Sequence, residues 1–574
     1  MRLLLPLLLA ACGTAPSGPG GDRDDTDAPD SDVVPGDTDT GPTGDSGAPC
    51  PTFPPGPPLP ASALGSDGGF RAQVLGSRFA LCLAVDDLDG DGRTDLLALY
   101  EGGPSFDLEV RWGDGTPTPT PVTTAVTPGD VGLIHGCTLA DVDGDHDLDL
   151  LLATSHGATA VLAGPGRTWS VGGEVLSVPS TLAAERRLPE MLALIDLDHQ
   201  GPLDLVWGAH GLLMDSCPDP DAVDTGDLQV PAPAFSGGPV RCYVADGQGA
   251  YVDAPAGLCP DPVLATPTVA PYGALVGDLD HDGHTDLLLT TDFATNRLLR
   301  GTASGLVPAP GRGLDVYDHG MGVAQADFDG DGQLDVYITD LGPDSVYLGQ
   351  CGTWFDAGQA LGWWAATARS VTWGVAATDV DHDGAPDLIV GVSADARGAA
   401  SNASMCIGPT GLPFPHPATM LLHNDGTGHM TRHDLVDRPG ATGKATGLAA
   451  RVAVGDLDGD LDVDAVVGTG RGVSILWNDV TKAGPVLRVR PVDDHGLPAV
   501  GARVVLQRGD HRRLADLWRP AGYSGPHETV AHLPLGQGTG EVTVEVRWPD
   551  GRTSTHGPYA AEDAEVVVSP PSAG

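Results

Sequence analysis

Between residues 87 and 464 one short acidic pattern recurs seven times. Each copy reads as an apolar run, then D-x-D-x-D-G-x-x-D with some substitutions, then a second apolar run. The copies begin at Asp87, Asp141, Asp196, Asp278, Asp327, Asp379 and Asp456. Recurrence at this scale constrains a fold more than any single motif, because each unit must bury its apolar face against its neighbours. Successive copies start 49 to 82 residues apart, and the extra residues of the two longest intervals read as loops. The following runs are short and β-prone: Leu96-Leu97-Ala98-Leu99, Leu287-Leu288-Leu289 and Val336-Tyr337-Ile338. Turns such as Asp246-Gly247-Gln248-Gly249 and Asn424-Asp425-Gly426-Thr427-Gly428 mark hairpins. About fifty residues with several short strands suits one propeller blade. The spacing therefore predicts an all-β chain: a seven-bladed β-propeller over 61–484, followed by a small antiparallel β domain over 485–574. Asp67-Gly68-Gly69-Phe70-Arg71-Ala72-Gln73-Val74 reads as an orphan outer strand that completes the last blade.

The loop spacing also carries chemistry. Side chains at positions 1, 3 and 5 converge inside the turn, position 7 offers a backbone carbonyl, and the aspartate at position 9 closes the shell. Six or seven hard oxygens at a flexible site suit Ca²⁺ better than Mg²⁺. Four copies are complete: Asp87, Asp89, Asp91 and Asp95 with the Arg93 carbonyl; Asp278, Asp280, Asp282 and Asp286 with that of His284; Asp327, Asp329, Asp331 and Asp335 with that of Gln333; and Asp379, Asp381, Asp383 and Asp387 with that of Ala385. Two copies keep every carboxylate but lose the glycine at position 6. They are Asp141, Asp143, Asp145 and Asp149 with the Asp147 carbonyl, where His146 replaces glycine, and Asp456, Asp458, Asp460 and Asp464 with the Asp462 carbonyl, where Leu461 does. Leucine at a left-handed position is costly, so that last loop is expected to be distorted. The third copy is degenerate and keeps Asp196, Asp198 and Asp204, a weak site at most. Metal-free Asp/Gly-rich turns are the competing reading, but clustered carboxylates without a cation repel one another. About six Ca²⁺ sites are expected. At a Kd of about 10⁻⁴ M and ~1 mM calcium, each contributes ~1.4 kcal/mol, and six roughly 8 kcal/mol.

The balance of 78 Asp+Glu against 30 Lys+Arg, a formal charge of -48, excludes a nucleic-acid partner and electrostatic docking on anionic lipid. At the N-terminus Arg2 precedes an apolar run, Leu3 to Ala11, too short to span a bilayer. Residues 13–60 hold nine Asp and one Arg among Gly, Pro, Thr and Ser. Such a segment cannot offset its ordering entropy and reads as a disordered tether. Gly44-Asp45-Ser46-Gly47 within it imitates a serine-protease signature but has no oxyanion hole. Beyond Cys12, eight cysteines leave disulfide pairing open, with Cys217, Cys242 and Cys259 in one insertion.

The stretch Met321-Gly322-Val323-Ala324-Gln325-Ala326-Asp327-Phe328-Asp329-Gly330-Asp331-Gly332, with Trp373-Gly374-Val375 before Asp379, closely resembles the FG-GAP/VCBS calcium-loop repeats also seen in integrin α-subunit heads. Gly501-Ala502-Arg503-Val504, Gly522-Tyr523-Ser524, His532-Leu533-Pro534-Leu535-Gly536 and Val546-Arg547-Trp548-Pro549-Asp550-Gly551 resemble the ASPIC/UnbV domain. The pairing is similar to bacterial relatives of cartilage acidic protein. It implies a calcium-bound propeller and says little about activity. Leu9-Ala10-Ala11-Cys12 resembles a bacterial lipobox. That implies residues 1–12 as signal peptide and lipobox, lipidation at Cys12, and an exported chain held by its lipid anchor, with Gly13 favouring the outer membrane or cell surface.

No HExxH, Walker or GxSxG motif is present, so an enzyme is not expected. Arg508-Gly509-Asp510 follows a strand and reads as a hairpin turn rather than an adhesive motif. Six positions before each loop lie Leu81, His135, Glu190, Tyr272, Met321, Trp373 and Ala450. On inner strands these face the propeller axis, where His135, Glu190, Tyr272 and Trp373 could form a funnel for a small ligand. Packing between inner strands is the competing reading, and the favoured one. The function expected is a binding, adhesion or interaction scaffold for an unidentified protein or glycan. A polysaccharide or phosphoester hydrolase or lyase at the funnel, or an assembly helper, are the alternatives.

Overall fold

The computed structural model describes residue 64 and residues 69–572, apart from 79, 102–105, 115–120, 127–133, 179–186, 202, 213–237, 261–270, 341, 369, 396–418, 436–448, 470–471, 510, 537–539 and 563. The lipobox, the tether, Cys50, Cys217 and Cys406 lie outside the described residues.

Each acidic repeat sits between the first two strands of a four-stranded antiparallel meander. Blade 1 is built from Ala80–Asp86, Asp95–Glu101, Phe106–Arg111 and Val122–Val126, and blade 2 from Ile134–Ala140, Asp149–Thr154, Gly157–Gly164 and Thr168–Ser177. Blade 3 opens with Arg187–Ile195 and Asp204–Leu212, blade 4 with Pro271–Gly277 and Asp286–Thr295, blade 5 with Val323–Ala326 and Asp335–Ile338, and blade 6 with Ser370–Thr378 and Asp387–Asp395. Blade 7 has three strands of its own, Ala449–Gly455, Asp464–Thr469 and Gly472–Asn478. Its outer strand is Phe70–Val74, which pairs antiparallel with Gly472–Asn478 and joins the two ends of the ring. The first strands neighbour one another in order, and that of blade 7 touches that of blade 1.

The apolar runs form the layers between blades. Leu97, Leu99, Leu150 and Leu152 pack between blades 1 and 2, and Val323, Val336, Leu288 and Leu298 between blades 4 and 5. A disulfide between Cys82 and Cys137 links the first strands of blades 1 and 2, and Cys242 bonds to Cys259 beside blade 3. Cys351 is also disulfide-bonded.

The C-terminal domain holds two sheets around Leu487, Val489, Val504, Leu506, Val544, Val546 and Trp548. Its larger sheet is antiparallel. The smaller one departs from the sequence expectation: Val486–Pro491 pairs antiparallel with Ala531–Pro534 but parallel with Ala564–Val568. The chain leaves Val486–Pro491, builds the other sheet, and returns in the original direction, as a crossover requires.

Candidate metal loops and the axial plug

Six of the seven loops share one backbone device. The carboxylate at position 1 accepts the N–H of position 6: Gly92 to Asp87 at 2.9 Å, His146 to Asp141 at 3.2 Å, Gly283 to Asp278 at 3.2 Å, Gly332 to Asp327 at 2.9 Å, Gly384 to Asp379 at 2.7 Å and Leu461 to Asp456 at 3.0 Å. His146 and Leu461 take the same left-handed conformation as the glycines they replace, with φ of 71° and 75°. The expected distortion of the last loop is therefore absent. The hydrogen bond to Asp456 holds Leu461 in a conformation costing about 1–2 kcal/mol. Position 4 is left-handed as well, as glycine or histidine: Gly90, Gly144, His199, His281, Gly330, His382 and Gly459. Glycine or histidine at position 4 is thus a second sequence signature of the loop.

The aspartate at position 9 has a structural task in every repeat, including the degenerate third. One oxygen accepts the N–H of position 2 and the other an N–H at the end of the blade's third strand. Asp335 takes Phe328 at 2.7 Å and Gly349 at 2.8 Å. Asp204 takes Leu197 at 2.8 Å and Ala245 at 2.9 Å. Each oxygen keeps a second lone pair, so the same residue can staple the blade and still face a cation.

The loops fit a hard cation on their own geometry. One oxygen each from Asp87, Asp89 and Asp95 lies within 4.8 Å of the others, and the same holds for Asp141, Asp143 and Asp149 and for Asp196, Asp198 and Asp204. Buried carboxylate oxygens without a hydrogen-bond partner recur in them: Asp87 Oδ1, Asp196 Oδ1, Asp327 Oδ1, Asp383 Oδ2 and Asp458 Oδ1. Burial, with like charges second in importance or below, pushes Asp87 to about 6 and Asp327 to about 7. Asp95 and Asp149 rise to about 7, and Asp335 and Asp387 well above the ordinary carboxylate range, again through burial first. Sites that resist ionisation this strongly are those a divalent cation would relieve. The sixth loop adds nitrogen: His423 Nε2 stands 3.4 Å from Asp381 Oδ2.

Arginines of the C-terminal domain reach the loop face. Arg547 Nη1 donates to Asp278 Oδ2 at 2.9 Å, Arg503 Nη2 to the Asp278 carbonyl at 2.7 Å, and Arg488 Nη1 to Asp456 Oδ2 at 2.7 Å. From the same face the segment 518–530 enters the ring. Arg519 donates to Asp86 at 2.7 Å and to the Leu139 carbonyl at 2.6 Å. Ser524 Oγ donates to the Val375 carbonyl at 2.8 Å and accepts the Val375 N–H at 3.0 Å. Gly525 N donates to the Val452 carbonyl at 2.9 Å, Val85 N to that of Pro526 at 3.0 Å, and Glu528 N to that of Val454 at 3.0 Å. Close backbone approach explains two glycines: a Cβ on Gly522 would stand 1.9 Å from the Tyr272 carbonyl oxygen, and one on Gly525 2.3 Å from that of Leu83.

This plug decides the funnel. Leu81, Glu190, Tyr272 and Ala450 are each skipped by the pairing of their first strands, as extra residues at a β-bulge. His135 and Trp373 lie at equivalent register shifts. A bulge re-aims its side chain, which gives the ring of positions a physical basis. Yet Tyr272 and Trp373 are buried, with Tyr523 between them at ring-centroid distances of 5.5 and 4.7 Å. They serve as packing partners of the plug rather than as an open ligand funnel, and Met321 is buried too. The side chains of His135 and Glu190 lie outside the described residues. Arg508 pairs with His511 at the end of the strands Arg503–Arg508 and His511–Asp516, and its guanidinium donates to the Leu535 and Gly536 carbonyls. Arg508 thus sits at the end of a paired strand with its side chain bonded within the domain, while Asp510 lies outside the described residues.

Comparison with known proteins agrees with this architecture. The FG-GAP-like repeat family matches residues 87–152, 278–338 and 327–390, and the ASPIC and UnbV family matches 494–573. The chain is similar to cartilage acidic protein 1 of Xenopus tropicalis, 27% identical over 294 residues, covering 49% of this chain and 42% of that protein. It is also similar to that of Mus musculus, 26% identical over 309 residues, covering 52% and 44%. The matched region thus spans less than half the length of these relatives. Among solved structures, an Agrocybe aegerita lectin described as recognising terminal N-acetylglucosamine has a TM-score of 0.41 at 16% identity, covering 70% of this chain and 95% of its own. YCF48 bound to D1 peptide has a TM-score of 0.39 at 10% identity, covering 73% and 97%. The chain carries FG-GAP-like repeats followed by an ASPIC/UnbV domain, the pairing its sequence resembles.

Proposed function

We propose that the protein is a calcium-dependent interaction scaffold, exported and held at the cell surface by a lipid on Cys12. The observation that carries this reading is the set of loops with orphaned buried carboxylate oxygens, repeated around one face of the ring. Calcium in these loops would neutralise the carboxylates and fix each first strand to its second. The family matches support a scaffold, since FG-GAP-like repeats joined to an ASPIC/UnbV domain make a propeller suited to protein interaction. The plugged axis supports binding on the outer surface over chemistry in a funnel. With a charge of -48, the partner surface is expected to be basic.

The test is binding of calcium-loaded protein to glycan and basic-peptide arrays. Saturable binding lost in EDTA is the expected result. Turnover of polysaccharides or phosphoesters, with no stable binding, would replace this reading with the catalytic one.

A further inference from the structure

Away from the acidic loops, a mixed nitrogen and oxygen cluster lies where blades 3, 4 and 5 meet. One ligand atom each from Asp318, His319 and Asp340 lies within 4.8 Å of the other two. Asp318 and His319 belong to a short strand, Tyr317–His319, laid along the end of the second strand of blade 4, and there His319 pairs across from Asp292. Asp340 follows the second strand of blade 5. From blade 3, His210 places Nε2 3.6 Å from Asp292 Oδ2, and its ring stacks on Tyr272 at 4.0 Å.

Asp292 is the independent sign of a ligand. It is 1% exposed, and no donor lies within hydrogen-bond distance of either oxygen, His210 Nε2 standing off at 3.6 Å. A buried carboxylate left in this state is strongly destabilising. Asp344, which accepts the Asp340 N–H, shows the contrast. That carboxylate accepts bonds from Asp340 N at 2.9 Å, from Thr372 Oγ1 at 2.5 Å and from the Tyr337 hydroxyl, so it is satisfied by protein alone. Asp344 thereby fixes the backbone of Asp340.

We propose that Asp318, His319 and Asp340 hold a divalent transition metal of the Zn²⁺ or Mn²⁺ class, with Asp292, oriented by His210, closing the site. Imidazole in the donor set separates this site from the all-oxygen loops, because nitrogen favours transition metals while Ca²⁺ and Mg²⁺ take oxygen. A divalent ion would also relieve the negative charge of the crowded carboxylates. Access from solvent exists at the rim, where the His319 side chain is 24% exposed and that of Asp340 12%.

The experiment uses full-length protein already saturated with calcium, so that the acidic loops are filled. Co²⁺ and then Zn²⁺ are titrated in and followed by cobalt absorption and calorimetry. One ion per chain is expected, binding at least tenfold more weakly in both His319→Ala and Asp340→Asn. Calcium-loaded melting curves of both variants check that they are folded. The proposal is overturned if the calcium-saturated protein takes up no Co²⁺ or Zn²⁺, which would leave Asp318 and Asp340 as a proton-sharing pair. It is overturned equally if the ion is lost in His495→Ala but kept in His319→Ala, since His495 stacks on His146 at 4.0 Å and offers the competing histidine site.

Discussion

Replacing Glu528 by glutamine should test the joint between the two domains. The side chain is nearly fully buried, and its Oε1 accepts Arg488 Nη2 at 2.6 Å, Arg490 Nη2 at 3.0 Å and the Thr94 hydroxyl, while Oε2 accepts Asp456 N at 3.1 Å. Burial works against ionisation here, but Arg488, with His532 and Arg490 adding, overcomes it and holds Glu528 well below the usual carboxylate range. Glutamine keeps the shape and removes the charge from between two buried guanidinium groups. Two charge-assisted bonds are worth about 1.5–3 kcal/mol each, and breaking a buried pair costs about 3–5 kcal/mol. A loss of about 3–5 kcal/mol is therefore expected in denaturant unfolding at saturating calcium. The pH dependence has a definite sign. Because the folded value is depressed, the wild-type contribution is complete above the ordinary value of about 4.3 and disappears as pH falls towards the folded value. The variant should lack that component of acid sensitivity. A loss below about 1 kcal/mol, or an unchanged acid profile, would refute the claim that this carboxylate ties the domains together.

Three further substitutions separate the other parts of the account. Tyr523→Ala removes the aromatic ring packed between Tyr272 and Trp373, and should cost about 3–5 kcal/mol by calorimetry; a neutral result would mean that the plug is dispensable. Asp204→Ala leaves the N–H groups of Leu197 and Ala245 without their acceptor, so about 3 kcal/mol should be lost, equally in EDTA and in calcium. A loss confined to calcium would make Asp204 a metal ligand rather than a staple. Leu461→Gly should be more stable than Leu461→Ala by about 1 kcal/mol in urea unfolding, because only glycine accepts φ of 75° without strain.

Much of this architecture was legible because its determinants are local. The D-x-D-x-D spacing fixes a turn within nine residues, and the β-prone runs on either side fix two strands, so repetition alone implied a ring. The role of Phe70–Val74 followed because blade 7 lacked an outer strand. Non-local features were harder to read. The plug 518–530 has no periodicity, and its partners, such as Asp86 and Leu139, lie hundreds of residues away. Its best local signal was the glycine pair Gly522 and Gly525, which permits close backbone approach. The strain at Leu461 was foreseen, but not its accommodation, because the sequence does not reveal that Asp456 holds that N–H. Counting back from the loops leads in six blades to a register shift in the first strand, which the spacing alone does not reveal. What occupied the axis belonged to another domain.

The most direct test is to count calcium in protein stripped with EDTA and then returned to millimolar calcium, by elemental analysis alongside a thermal melt of each form. Uptake of at least six ions per chain, with a clearly higher melting temperature in the loaded form, is the expected outcome. No bound ions and superimposable melts would mean that the carboxylate loops are merely turns, and that something other than calcium holds the ring closed.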